Sequence, residues 1–356
     1  MKTRLALIAS LVLLLGLAWL LAWPVPIAPL AWQPGPNPWG NAPWQSNGKL
    51  SAISRIELGG AVGPEDVEIL PDDSVLVGVK DGGILRWRAG ILDRIGDTGG
   101  RPLGLVRAQG GGLWIADGER GLLHMDGAGR VEVAATSEGG LAFGFPDDLD
   151  QAPDGTVYFT DADSRWGPED LKYAMLEGRP NGRLLAYDPE TRAVSRVLDG
   201  LHFANGVAVG PSGAYLLLTE TLRLRVLKVW LTPEKYGQTE VVLDNLPGYP
   251  DNVTHVGQGV FWVALYGPRT ALKDRAMASP LLRTIAARIP GRGLTRTRRH
   301  TVAVAFSHLG RVLQVMDDPT GSFAPLTSVT EHGGALYLGS LEEGAIGKAT
   351  APLRVH

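Results

Sequence analysis

The chain opens on residues 5–23, LALIASLVLLLGLAWLLAW, an unbroken apolar run preceded by Lys2 and Arg4. At about 1.5 Å rise per residue, a helix over this run nearly covers the hydrocarbon core of a bilayer. The basic flank stays on the cytoplasmic side, which directs the following chain outward, and Trp19 and Trp23 suit the far interface. The run is long for a signal peptide, and no small-residue cleavage site follows it. Residues 1–24 therefore read as an uncleaved, single-pass membrane anchor. Residues 25–50, rich in Pro, Trp, Asn and Gly, read as a stalk. It would lift a domain spanning 51–356 off the membrane.

From about residue 53 the pattern changes to a recurring unit of apolar strand, Pro/Asp/Gly turn and second apolar strand. The copies are 65–79, 103–118, 147–161, 205–220, 251–265 and 327–341. A third strand follows several of them, as in GILRWR (83–88), GLLHMD (121–126), GRLLAYDP (182–189), RVLKVWL (225–231) and GRVLQVMD (310–317). Tight turns draw on Gly and Asp for their backbone angles. Repeats at spacings of about 40 to 70 residues predict an all-β, six-bladed β-propeller. ISRIEL (53–58) precedes the first full repeat and can pair with the last blade to close the ring. Two segments break the pattern, 164–181 in blade three and 268–300 in blade five. The second contains a helical stretch with apolar positions Leu272, Met277, Leu281, Leu282 and Ile285, interrupted by Pro280, and six arginines within 283–300. It reads as a lid over the channel mouth, a membrane-surface element, or a solvated helix packed on the ring.

Composition narrows the chemistry. Without cysteine the chain has no disulfide, no thiolate nucleophile and no Cys-ligated zinc. A net charge of −3 implies no pull toward nucleic acid. In a propeller the first strand of each blade lines the central channel. Here polar residues stand at those strand starts: Glu65, Asp147 with Asp148, Asn205, and Asp251 with Asn252. One such residue alone is more often a turn former. Several in phase on one axis repel unless a cation joins them. All-oxygen ligands suit Ca²⁺, with Glu65, Asp147, Asn205, Asp251 and Asn252 as the candidate set.

GPEDVE, RPLGL, DDLDQAPDGTVYFTDADSRW, GRLLAYDPETR, FANGVAV and YPDNV resemble the strictosidine synthase-like branch of six-bladed propellers, which includes adipocyte plasma membrane-associated proteins. Gluconolactonase (the senescence-marker family) and paraoxonase are more distant relatives. The resemblance covers about residues 55–350 and implies one channel Ca²⁺ held by Glu65, Asp147 (usually Asn in relatives), Asn205 and Asp251, with Asn252 as an added ligand. Missing eukaryotic cysteines fit a bacterial exported protein. The position of the condensing enzyme's glutamate holds Thr327, which disfavours a Pictet–Spengler-type condensation of amine with aldehyde.

The expected function is Ca²⁺-dependent hydrolysis of a small lactone or aryl ester, from an inner-membrane anchor with the domain in the periplasm. Ca²⁺ would stabilise the oxyanion. Resemblance to gluconolactonase makes Asp251 a candidate base. Of the histidines, His202 and His255 stand nearest the channel residues in sequence and are the alternative bases. Arg101 is a candidate for binding a substrate carboxylate or for tying down a loop. Trp166, Tyr249 and Tyr266 are candidates for an aromatic rim. No Gly-x-Ser-x-Gly elbow with a convincing triad is present. The competing reading is a non-catalytic binding platform whose Ca²⁺ only closes the ring.

Overall fold

The computed structural model describes residues 2–291, 295 and 297–352. Six four-stranded antiparallel sheets form the blades of a propeller, at residues 67–97, 102–135, 146–201, 204–243, 248–318 and 329–350. The first strand of every blade touches the first strands of both neighbours, so the inner strands form a closed ring. Blade six has three strands of its own. Its fourth is Ser54–Glu57, paired antiparallel with Ala345–Thr350, Ile56 opposite Ile346. The strand read at 53–58 therefore closes the ring, joining the two ends of the domain by backbone hydrogen bonds.

The second strands explain the repeat. VLVG (75–78), LWIAD (113–117), VYFTD (157–161) and YLLLTE (215–220) are buried at every position. Each lies inside a blade whose two faces are covered by neighbouring blades, so both faces are apolar and simple alternation is lost. The fourth strands Ile91–Asp97 and Ala193–Leu201 are largely exposed and carry charge. That weak apolar signal hid these two from the sequence pattern, while the outer strands of blades five and six were legible in it. GRVLQVMD (310–317) is one of these outer strands, Val312–Asp318; the third strand of blade five is Thr301–Ser307, beyond the insertion.

Helix α1, Lys2–Ala22, is long and apolar enough to cross a membrane, a test that a signal sequence near an N-terminus also passes. The segment after it is not a free stalk. Ile27 and Leu50 are buried. Leu30 N–H donates to Glu177 O and Trp32 N–H to Met277 O. Asp317 Oδ1 accepts the amides of Asn47 (2.7 Å) and Gly48 (2.9 Å), and its Oδ2 accepts the Ser46 hydroxyl (2.6 Å). Residues 25–50 are thus a strap laid along the ring, its tryptophans Trp32, Trp39 and Trp44 packed on the core between blades four and five.

The insertions form helices α2 (Leu171–Glu177), α3 (Ala271–Ala278) and α4 (Pro280–Arg288). Ser279 caps α4 by accepting Leu282 N–H, and Pro280 occupies its first turn, where it lacks no needed donor. This break resets the helical phase, so the expected apolar stripe does not form. Leu272, Leu281 and Leu282 point outward, while Ala276, Arg283, Ala286 and Ala287 are buried. Arg288 donates from Nε to Trp23 O and from Nη1 to Leu20 O, fastening α4 to the end of α1. Arg292 and Arg296, two of the six arginines, and His356 lie outside the described residues.

Asp317→Ala removes the acceptor for three strap donors and for the His300 ring. It should cost roughly 1–3 kcal/mol, read as a lower urea midpoint of the detergent-solubilised chain. An unchanged midpoint would mean the strap is not held there.

Candidate functional site

The inner ends of the first strands of blades one, four and five are each pinned by a hydroxyl from the neighbouring blade. Thr160 Oγ1 donates to Asn205 O (2.7 Å), Thr219 Oγ1 to Asp251 O (2.7 Å) and Thr327 Oγ1 to Glu65 O (2.5 Å). Glycines allow the close approach. A Cβ on Gly206 would lie 2.5 Å from Val253 N and 2.6 Å from Asn252 Cα, and one on Gly104 2.8 Å from Asp148 Cα. Adjacent acids divide the labour. Asp147 lines the cavity, while Asp148 accepts Val207 N–H (2.8 Å) of the next blade; Glu65 lines it, while Asp66 accepts Leu105 N–H (3.2 Å). Asp148 is therefore an inter-blade tie, not a channel group.

A cavity of about 660 Å³ opens above the axis. Glu65, Asp147, Asn205 and Asp251 line its floor, Leu103, Phe145, Phe203 and Tyr249 its walls, and residues of α2, α3 and α4 its roof. Both insertions thus cover the channel mouth. Asn252 stands beside the floor and donates from Nδ2 to Glu65 Oε1 (3.0 Å). The floor residues are almost fully buried. Burial first, then the neighbouring charge of Asp66, pushes the Glu65 carboxyl up to about 8. Burial and the Glu65 charge raise Asp147 and Asp251 well above the usual carboxylate range.

Among the described residues, three buried acceptors here have no protein donor: Glu65 Oε2, Asn205 Oδ1 and Asn252 Oδ1. Leaving such oxygens bare costs free energy that a bound cation would recover. Among the described residues no three His, Asp or Glu side chains converge tightly enough to hold a metal ion by themselves. A cation would draw on the amide oxygens too, and that all-oxygen set fits a hard ion.

The remaining sequence candidates separate. His202 lies outside the cavity lining, its Nδ1 3.0 Å from Gly178 O and its Nε2 2.7 Å from Arg223 Nη2. His255 also lies away, its ring against Phe261. Among the described residues no histidine lines the cavity. Arg101 is not in the lining either; its Nη2 donates to Gly63 O (3.0 Å), tying down a loop. Trp166 donates from Nε1 to the buried Glu177 (2.7 Å) and supports the roof from behind. Tyr249 and Tyr266 do line the cavity. Sequence reasoning missed Lys273 of α3, which lines it as well. It also missed the in-phase Thr160 and Thr219. The acids after them, Asp161 and Glu220, accept the backbone amides of Phe145 and His202 and fix the loops entering their own blades. The recurrence of Thr-Asp and Thr-Glu at the ends of second strands was the available signal.

Residues 147–234 match the strictosidine synthase family and residues 42–87 the strictosidine synthase-like N-terminal family. Protein strictosidine synthase-like 13 of Arabidopsis thaliana is 40% identical over 64% of this chain and 58% of its own length. The adipocyte plasma membrane-associated protein of Bos taurus is 30% identical over 92% of this chain and 85% of its own. The chain belongs to the strictosidine synthase-like family. In fold it is similar to a gluconolactonase from Xanthomonas campestris, with a TM-score of 0.62 at 16% identity over 86% of this chain and 91% of that one.

Gly206→Ala should lower the melting temperature and cost roughly 1–3 kcal/mol by overpacking the axis, whereas Gly110→Ala, with open space around it, should change little. Equal effects would refute tight axial packing. In a chelating buffer, the folded protein holds more protons than the unfolded chain between about pH 4.5 and 8, because Glu65 is raised. Stability should therefore fall as pH rises through that window. A melting temperature that stays flat or climbs from pH 5.5 to 8.5 would contradict the buried acidic floor.

Proposed function

We propose that this protein is a Ca²⁺-dependent hydrolase of small lactones or aryl esters, anchored in the inner membrane with its propeller in the periplasm. The observation that carries the reading is the trio of unpartnered oxygens beside a cavity floored by Glu65, Asp147, Asn205 and Asp251. These four, with Asn252, would hold the ion. When bound, it would supply electrophilic polarisation of the substrate carbonyl and a counter-charge for the oxyanion.

The chain's own groups supply the rest. Leu103, Phe145 and Phe203 exclude bulk water and hold the acyl or aryl body. With no histidine among the described lining residues, Asp251 is the base: it takes a proton from the attacking water as oxygen adds to the carbonyl carbon. It returns that proton to the departing alkoxide as the carbon–oxygen bond breaks. The gluconolactonase of similar fold supports the reaction class. Amine–aldehyde condensation is not supported, because Thr327 is fully buried and its hydroxyl is spent on Glu65 O. Lys2 and Arg4 before the apolar run support the orientation.

The test is hydrolysis of δ-lactones and phenyl acetate by the full chain in detergent. Activity should vanish with EDTA, return with Ca²⁺, and fall by about 10²-fold or more in Asp251→Asn. Ca²⁺ that raises the melting temperature without any turnover would replace this reading with a binding platform.

A further inference from the structure

We infer that Lys273 anchors a negatively charged group of the ligand, so that the cavity takes compounds that join an apolar body to a carboxylate. Lys273 lies on α3 and lines the cavity with Tyr249, the floor residue Asp251 and the apolar walls. Its ammonium sits 5.1 Å from the centroid of the Tyr249 ring. Among the described residues its ammonium has no hydrogen-bond or carboxylate partner, burial being the sole influence on it besides the Tyr249 ring.

The other cations of the lining are committed. Lys172 donates to Ala287 O and Ile289 O, Arg283 to Glu177 O and Leu30 O, and Arg288 to Leu20 O and Trp23 O. Asp274, beside Lys273 in sequence, is taken by Arg269 (3.1 Å). A half-buried ammonium with no acceptor is costly unless something arrives to pair with it. Burial alone pulls Lys273 down to about 8, which leaves it largely charged at neutral pH. Tyr249 favours the cation through its ring face and gives an aryl or alkyl group a surface to pack on. A carboxylate satisfies both ends of this arrangement, with a charge-assisted hydrogen bond at Lys273 and the body against Phe145 and Phe203.

The inference deepens the hydrolase reading and rests on it for the chemistry, though not for the binding. The probes are phenylacetate and neutral 2-phenylethanol, titrated calorimetrically at pH 7 into the Ca²⁺-loaded full chain in detergent. Phenylacetate should bind more tightly than 2-phenylethanol. Lys273→Met should weaken phenylacetate by about tenfold or more, with a small change for 2-phenylethanol, and Lys273→Arg should restore most of the loss. Phenylacetate binding that survives in Lys273→Met, or that never exceeds the neutral probe, overturns the anchor. So does parallel loss of both probes, which marks Lys273 as structural. If the anchor holds while no ester is hydrolysed, the hydrolase reading fails alone.

Discussion

Carboxylates gathered on the axis of a closed ring are the constraint around which this structure is arranged. Six inner strands converge there, and burial raises three of the acids they bring, Glu65, Asp147 and Asp251, above the usual carboxylate range. The fold answers by fixing backbone first. Threonine hydroxyls of neighbouring blades grip the carbonyls of Glu65, Asn205 and Asp251, and glycines remove the side chains that would push the strands apart. With the main chain held, side-chain oxygens can stay bare at the cavity floor without the ring relaxing to pair them.

The same economy runs outward from the axis. Asp66 and Asp148, next to the channel acids, turn to amides of the following blade. Asp161 and Glu220 hold the loops that lead into the first strands. Ring closure by Ser54–Glu57 makes these ties cooperative, since no blade can move without breaking contact on both sides. The roof is built differently. Glu177, buried in α2, gathers Trp166, Arg165 and the amide of Ala28, so the strap and the first insertion are fixed by one carboxylate. Arg288 then joins the second insertion to the end of α1. The cavity roof and the apolar N-terminal helix are consequently joined through Arg288.

Much of the fold was legible because its periodicity is imposed locally. The buried second strands, the glycine-bearing turns and the closing strand each announce themselves over a few residues. The outer strands Ile91–Asp97 and Ala193–Leu201 did not, because much of their length faces water and their apolar content is low. The strap was misread for a related reason. Pro, Asn and Gly describe a chain without regular structure, and say nothing of whether its amides find acceptors such as Asp317 on a distant blade. The stripe expected over 271–289 failed at Ser279–Pro280, where a cap and a proline start a new helix out of phase with the old one.

The sequence by itself determined the six-fold repeat, the apolar N-terminal helix, the absence of thiol chemistry, and the polar residues at the starts of the inner strands. These follow from residue type and spacing alone. Only the tertiary structure decided which of those polar residues share a cavity. Glu65, Asp147, Asn205 and Asp251 are separated by tens of residues and meet only because the ring closes. His255 is near Asp251 in sequence yet lies outside the lining, since the strand Gly248–His255 carries it away at about 3.3 Å per residue, and His202, in the turn before Ala204–Val209, is held instead by Gly178 and Arg223. Lys273 enters from an insertion with no repeat phase to mark it. Proximity in a propeller is set by position along the radius, a coordinate that the sequence does not carry.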